Sequence, residues 1–327
     1  MRVLFAREQI SAELSWAALE SVLPGWEITG CAPGRVAEHL DGVDVVCPFG
    51  APIGRAIIEA GTFGLIHQFG VGLDKVDIAA ATELGVWVAR VPGDAGGNAD
   101  SVAELAVLHL LALTRRLDEM RAVLRDARWA QRPVGRSLAG ATVAVVGLGA
   151  IGTALVHRLA PFGPRLLSVR SRPELGGPPE VAEVTGPAGL PGVLSRADAV
   201  VCCAMLHDRN AALFGAAEFA AVKPGALFVN VARGALVDEA ALLDALEGGQ
   251  VAGAGLDVFQ REPADPDSAL IRHPRVLATP HSGWLTWLMF RETGAVFAAN
   301  LQRWADGREP SWAVNVPEFC RWPPGRP

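Results

Sequence analysis

Residues 141–172, ATVAVVGLGAIGTALVHRLAPFGPRLLSVRSR, constrain the fold more than any other stretch of the chain. Val143, Ala144, Val145 and Val146 form an apolar run, and Gly147, Gly149 and Gly152 follow at GxGxxG spacing. Thr153 to Leu159 then carries helical apolar spacing through Ala154, Leu155 and Leu159, and a second apolar run, Leu166 to Val169, closes the unit. Strand, glycine turn, helix and strand in that order predict a dinucleotide-binding βαβ unit. In a chain with 36 glycines the spacing alone is weak, and its place between an apolar strand and a helix gives it meaning. Gly147 permits the tight turn, Gly149 lets backbone approach a pyrophosphate, and Gly152 lets the helix pack close to the strand. The N–H groups at Ala150, Ile151 and Gly152, where the helix begins, are expected to face the phosphates.

The remaining chain is long enough for a second domain, since 327 residues bury two cores. Half the residues are apolar and the net charge is −6, with no basic stripe to meet a nucleic acid. No apolar segment is long enough to span a bilayer. The opening residues, MRVLFAREQISAE, become charged too soon for a signal peptide, so the expectation is a cytoplasmic protein. Five cysteines lack metal-ligand spacing, so no metal is expected, and Cys202 and Cys203 read as core packing.

Upstream of the glycine turn, strands are expected at Arg2–Ala6, Trp26–Thr29, Val43–Cys47, Gly64–Gln68 and Val86–Ala89. Helices are expected at Glu13–Leu23, around Ala56–Glu59 and at Ile78–Leu84. This alternation predicts a small parallel-sheet domain. Ligands in such sheets bind beyond the carboxyl ends of strands, where the loop Gly70-Val71-Gly72 lies; its N–H groups suit an anion. The alternative is a plain loop needing two unusual dihedrals. Ser101–Arg116 is apolar nearly all round and predicts a long helix buried between elements. Downstream, 176–191 reads as loop or short helix. Strands follow at 199–203, 226–230, 251–256 and 275–278. Arg233, Glu262 and His281 stand beyond carboxyl ends of strands, where reactive groups gather in this architecture.

These motifs, in this order and along nearly the whole chain, resemble the D-isomer-specific 2-hydroxyacid dehydrogenase family. The glycine fingerprint matches Gly147, Gly149 and Gly152. Asn230-Val231-Ala232-Arg233-Gly234 with Val237-Asp238 resembles the arginine signature. Leu256-Asp257-Val258-Phe259 with Glu262-Pro263 resembles the acidic signature, and Thr279-Pro280-His281 the histidine signature. The resemblance implies a Rossmann-type doubly wound nucleotide domain over 101–286. It also implies a smaller flavodoxin-like substrate domain made of 1–100 and 287–327. It makes Arg233, Glu262 and His281 the catalytic group and Val71 and Gly72 a backbone clamp for the substrate carboxylate. Met205, Val231, Ala232, Asp257 and His281 become further cofactor contacts. It implies a homodimer packed through the long helix near Val102–Arg116. Trp284 and Trp287 stand where the family often has smaller residues. Trp284 is expected either to close the substrate cleft or to reach across a subunit interface.

The chemistry supports the same residues. Reducing a 2-keto acid needs a hydride, a proton and fixed positive charge. His281 suits proton transfer in both directions near neutral pH. Glu262 beside it orients the ring and favours the imidazolium. The planar fork of Arg233 suits a carboxylate together with a polarised keto oxygen. The lead expectation is a glyoxylate or hydroxypyruvate reductase. The alternatives are phosphoglycerate or phosphite dehydrogenase of the same family, and a dinucleotide-sensing binding protein without turnover. Phosphoglycerate is placed second because the sequence shows no extra regulatory domain and no phosphate patch. Arg170, Ser171 and Arg172 follow the second nucleotide strand, where NAD-selective folds carry a carboxylate. Two guanidinium groups and a hydroxyl suit a 2′-phosphate, so NADP(H) is expected to be preferred, with NAD(H) accepted.

Overall fold

The structure is a computed structural model that describes residues 1–7, 23–126, 129 and 133–321. Two compact units divide the chain: Met1–Asn98 with Trp287–Pro327, and Ala99–Thr286. Both are parallel sheets flanked by helices, so the fold is α/β. The expected helix Glu13–Leu23 lies, apart from Leu23, outside the described residues.

In the first unit the strands are β1 (Arg2–Phe5), β2 (Glu27–Gly30), β3 (Val45–Cys47), β4 (Leu65–Gln68) and β5 (Trp87–Arg90). Their order is β2-β1-β3-β4-β5, the flavodoxin-like arrangement. Leu4, Val46, Ile66 and Val88 all point into one cluster with Ile53, Ile58 and Phe63. Both faces are covered, so the strands read as continuous apolar runs rather than alternating ones. The helix Trp287–Ala305 belongs to this unit. The chain after it runs along the open edge of β5: Val314 N–H donates to Val88 O at 2.8 Å, and Val88 N–H donates to Asn315 Oδ1 at 2.7 Å. An edge strand is thereby capped. Trp287 begins that helix, so the expected tryptophan loop ends before it.

The second unit contains β6 (Thr142–Val146), β7 (Arg165–Val169), β8 (Val181–Thr185), β9 (Ala199–Cys202), β10 (Ala226–Asn230), β11 (Val251–Leu256) and β12 (Val276–Ala278). The order is β12-β11-β10-β9-β6-β7-β8. The chain leaves β6 toward β8, then returns across it to β9, which puts the topological switch between β6 and β9. Val143 and Val145 enter one core and Ala144 and Val146 the other, so the sheet is buried on both faces.

Two sequence expectations need correction. The segment 176–191, read as loop or short helix, contains β8. That strand is at the sheet edge and only half-buried, and its Gly- and Pro-rich flanks hide it. The long helix runs Asn98–Thr114 and is not buried all round, since Leu108 is 54% exposed. The charged stretch after it forms a second helix, Leu117–Arg125, in which no residue is buried.

Candidate active site

The glycine turn joins β6 to the helix Ala150–Leu159. A Cβ on Gly152 would fall 1.9 Å from the carbonyl oxygen of Gly147, so only glycine allows the helix to sit this close to the strand. Gly147 has φ +103°, and a Cβ there would meet the Ala204 backbone at 2.6 Å. The turn therefore lies against the end of β9, at the switch point. Gly149, which precedes the helix, makes no side-chain cap and has open space where a Cβ would be. The first-turn N–H groups of a helix have no partner within it. Uncapped donors beside an open glycine fit a dinucleotide pyrophosphate.

At the end of β7, Arg170 Nη1 donates to the carbonyl of Gly176 at 2.6 Å, so one corner of its fork is engaged by the following loop. Ser171 and Arg172 are exposed, and Met205 after β9 is 70% exposed.

The arginine turn is built by Asn230 at the end of β10. Its side chain donates to Arg233 O at 2.9 Å and accepts from Ala232 N–H at 3.0 Å. That bracket buries Val231 and Ala232 and sends Arg233 outward, its Nη1 on Ala232 O at 2.8 Å. Gly234 follows, and a Cβ on it would lie 1.9 Å from the Phe259 backbone. The arginine turn and the loop after β11 can press together only through glycine. Glu262 is thereby brought close enough for the Arg233 charge to act on its carboxyl.

Glu262 Oε2 pairs with His281 Nδ1 at 2.8 Å, and its Oε1 accepts from Phe259 N–H at 3.1 Å. Burial opposes the charge of Glu262. The hydrogen bond and charge of His281, the Phe259 N–H and the Arg233 charge together outweigh it, holding the carboxyl below its ordinary value. His281 itself adopts φ +50°, a left-handed conformation uncommon for a residue with a side chain. Asp257, 2% exposed, secures it: its backbone carbonyl accepts from His281 N–H at 2.7 Å. Its carboxylate accepts from Ser282 N–H and Gly283 N–H, each at 2.9 Å. Trp284 Nε1 donates to His281 O at 2.9 Å, and its ring packs on the apolar cluster of Val102 and Ala106. Trp284 thus braces the histidine turn, a role the sequence reading missed along with those of Asn230 and Asp257.

In the first unit, Gly70 has φ +131° and open space at its Cβ position, and Arg90 Nη1 lies 3.4 Å from Val71 O. Only Gly70 in the loop Gly70-Val71-Gly72 has positive φ, so the loop needs one unusual dihedral rather than two.

The family profile described as D-isomer specific 2-hydroxyacid dehydrogenase, NAD binding domain, matches residues 107–283. The glyoxylate reductase of Thermococcus litoralis is 34% identical over 271 residues, covering 80% of this chain and 79% of that protein. The D-3-phosphoglycerate dehydrogenase of Methanocaldococcus jannaschii is 34% identical over 297 residues, covering 89% of this chain and 55% of that protein. The chain spans about half the length of the phosphoglycerate dehydrogenases it matches. The crystal structure of the TT0316 protein from Thermus thermophilus superposes with a TM-score of 0.83 at 30% identity, covering 96% of this chain and all of the other. The chain belongs to the D-isomer-specific 2-hydroxyacid dehydrogenase family. The unit Ala99–Thr286 contains the family's NAD-binding domain.

Proposed function

We propose that the protein is an NADP(H)-preferring 2-keto acid reductase of the glyoxylate or hydroxypyruvate type, working reversibly as a D-2-hydroxyacid dehydrogenase. The observation that carries the reading is the His281–Glu262 pair at 2.8 Å, with the Arg233 charge acting on the same carboxylate. With Nδ1 committed to Glu262, the other ring nitrogen of His281 gives its proton to the keto oxygen in reduction and takes it back in oxidation. Arg233 holds the substrate carboxylate and polarises the keto oxygen. The N–H groups of Val71 and Gly72 are the proposed backbone clamp for a substrate carboxylate, which makes the first unit the substrate domain. Trp284 supports the substrate end of the site from behind the histidine turn.

The dinucleotide, when bound, supplies the hydride. Gly147, Gly149, Ala150, Ile151 and Gly152 hold its pyrophosphate, and Met205, Val231, Ala232 and Asp257 line the rest of its path. Arg170, Ser171 and Arg172 bind the 2′-phosphate; no carboxylate stands at the end of β7 to repel it. The partner is a second copy of this chain, met through the stretch near Val102–Arg116, where Leu108 is exposed.

The test is a steady-state panel of glyoxylate, hydroxypyruvate, pyruvate and 3-phosphohydroxypyruvate with NADPH and with NADH. The expected result is highest kcat/KM for glyoxylate or hydroxypyruvate with NADPH, and a raised NADPH KM in the double variant Arg170→Ala, Arg172→Ala. A clear preference for NADH contradicts the cofactor assignment. Phosphoglycerate oxidation is the second reading, favoured by the several matched relatives that carry that name; a best rate with 3-phosphohydroxypyruvate would establish it. No turnover with any acid would leave a dinucleotide-binding protein.

A further inference from the structure

Beneath the histidine turn lies a buried polar chain that no catalytic step uses. Thr279 Oγ1 donates to Asp257 Oδ1 at 2.6 Å, joining the Ser282 and Gly283 N–H groups on that carboxylate. The hydroxyl has one proton, and Asp257 takes it. Toward His109, whose Nε2 is 3.3 Å away, the same oxygen must therefore accept. His109 comes from the helix Asn98–Thr114 and is fully buried. Its ring rests on the backbone of Gly255 in β11, where an added Cβ would lie 2.8 Å from the ring. Burial pushes its pKa down, against the opposing pull of the Asp257 charge and the Gly255 backbone, and a neutral ring with its proton on Nε2 satisfies the hydroxyl. His109 Nδ1 is buried without a well-formed hydrogen bond among the described residues.

We propose that Thr279 and His109 are positioning residues for the proton-transfer histidine. His109 orients the Thr279 hydroxyl, the hydroxyl orients the Asp257 carboxylate, and the carboxylate with its own backbone carbonyl holds His281 in its left-handed conformation facing Glu262. The inference rests on the reading of His281 as the acid–base group. Without the hydroxyl, Asp257 keeps two of its three donors and the Nε2–H of His109 loses its acceptor. The imidazole is then free to swing by a fraction of an ångström to an ångström, a displacement to which proton transfer is sensitive.

Thr279→Val keeps the shape of the side chain and removes the hydroxyl, whereas Thr279→Ser keeps the hydroxyl and removes a methyl. Expected for Val is a kcat lower by about ten- to a hundredfold, with the dissociation constant for NADPH, read by nicotinamide fluorescence, within about twofold of wild type. Ser is expected to recover turnover to within about threefold of wild type. A packing role predicts the reverse order, with Val the better replacement, and that order overturns the proposal. His109→Phe, which keeps a ring over Gly255, lowers kcat in the wild-type background and adds nothing in the Val background, because both lesions cut one chain. Full additivity of the two, or an unchanged kcat in either, also overturns it. If Thr279→Val does not fold, His109→Phe against His109→Gln, which retains an amide donor, carries the same comparison. Should His281→Ala itself leave turnover intact, the reading of His281 fails first and the two failures are told apart.

Discussion

At the residue scale, the proposed chemistry turns on the pair His281–Glu262, joined at 2.8 Å. Glu262 has a depressed pKa in the folded protein. Its charge-dependent contribution is therefore complete above the ordinary carboxylate range and is lost only as pH falls through the lower folded value. Glu262→Gln keeps the shape and deletes the charge. The charge facing the proposed proton-transfer ring is lost, so the pH profiles of both reduction and oxidation should change in the variant. Profiles of kcat/KM in both directions check this, and superimposable profiles with chemistry rate-limiting would contradict it. Arg233, Glu262 and His281 were singled out in the sequence by their spaced motifs beyond strand ends, and the structure pairs Glu262 with His281 and sets the Arg233 charge near that carboxyl. Asp257 entered the sequence reading as a cofactor contact implied by the family resemblance, but not as the clamp of the histidine turn. The direction in which a buried carboxylate points depends on partners 22 to 26 residues away in sequence. Thr279 and His109 are 170 residues apart, a separation no local pattern records.

At the scale of elements, β4 carries a second buried histidine with a different role. His67 Nδ1 contacts Gln68 O at 3.1 Å, and its Nε2 faces Asn300 Nδ2 at 2.6 Å. Asn300 is locked in that orientation because its amide also pairs with both the N–H and the carbonyl of Ser311. An amide donor facing Nε2 requires a neutral ring, and burial pushes its pKa down from 6.5 to about 4. The sign follows: below pH 6.5 the unfolded chain takes up a proton that the folded one refuses, so stability falls as pH drops toward 4 and levels off beneath it. The full effect is on the order of 3 kcal/mol. Urea unfolding at pH 7 and pH 4.5 should show this loss, and His67→Gln should be less stable at pH 7 yet lose less on acidification. An equal pH dependence in both proteins would contradict the assignment. The strands of both cores were legible as apolar runs. The strand β8 was not, because only one neighbour buries it and its flanks are rich in Gly and Pro. The helix Leu117–Arg125 was not because its Arg, Asp and Glu residues dominate the composition, although Leu117, Met120 and Leu124 recur at helical spacing.

At the scale of the whole molecule, large apolar side chains remain exposed in one stretch of the second unit, among them Leu108, Leu117, Leu124, Trp129 and Val134. The proposed homodimer would cover residues of this kind. Sedimentation at micromolar concentration should give a homodimer, and Leu108→Glu with Leu124→Glu should shift it toward monomer; a wild-type monomer would contradict the assembly. The parallel-sheet class was readable from β–α alternation and the family from its spaced motifs, while the strand orders came only with the structure. Substrate identity was not readable, since the matched motifs define a reaction class and not a particular acid. In the proposed mechanism, turnover passes through one ring, that of His281. Measured with NADPH and the best 2-keto acid of the panel, His281→Ala should lose at least about a hundredfold in kcat. Its NADPH dissociation constant, read by nicotinamide fluorescence, should stay within about twofold of wild type, as expected for a group that acts in the transition state. Equal turnover in the two proteins across the neutral range, at saturating substrate, would contradict the assignment.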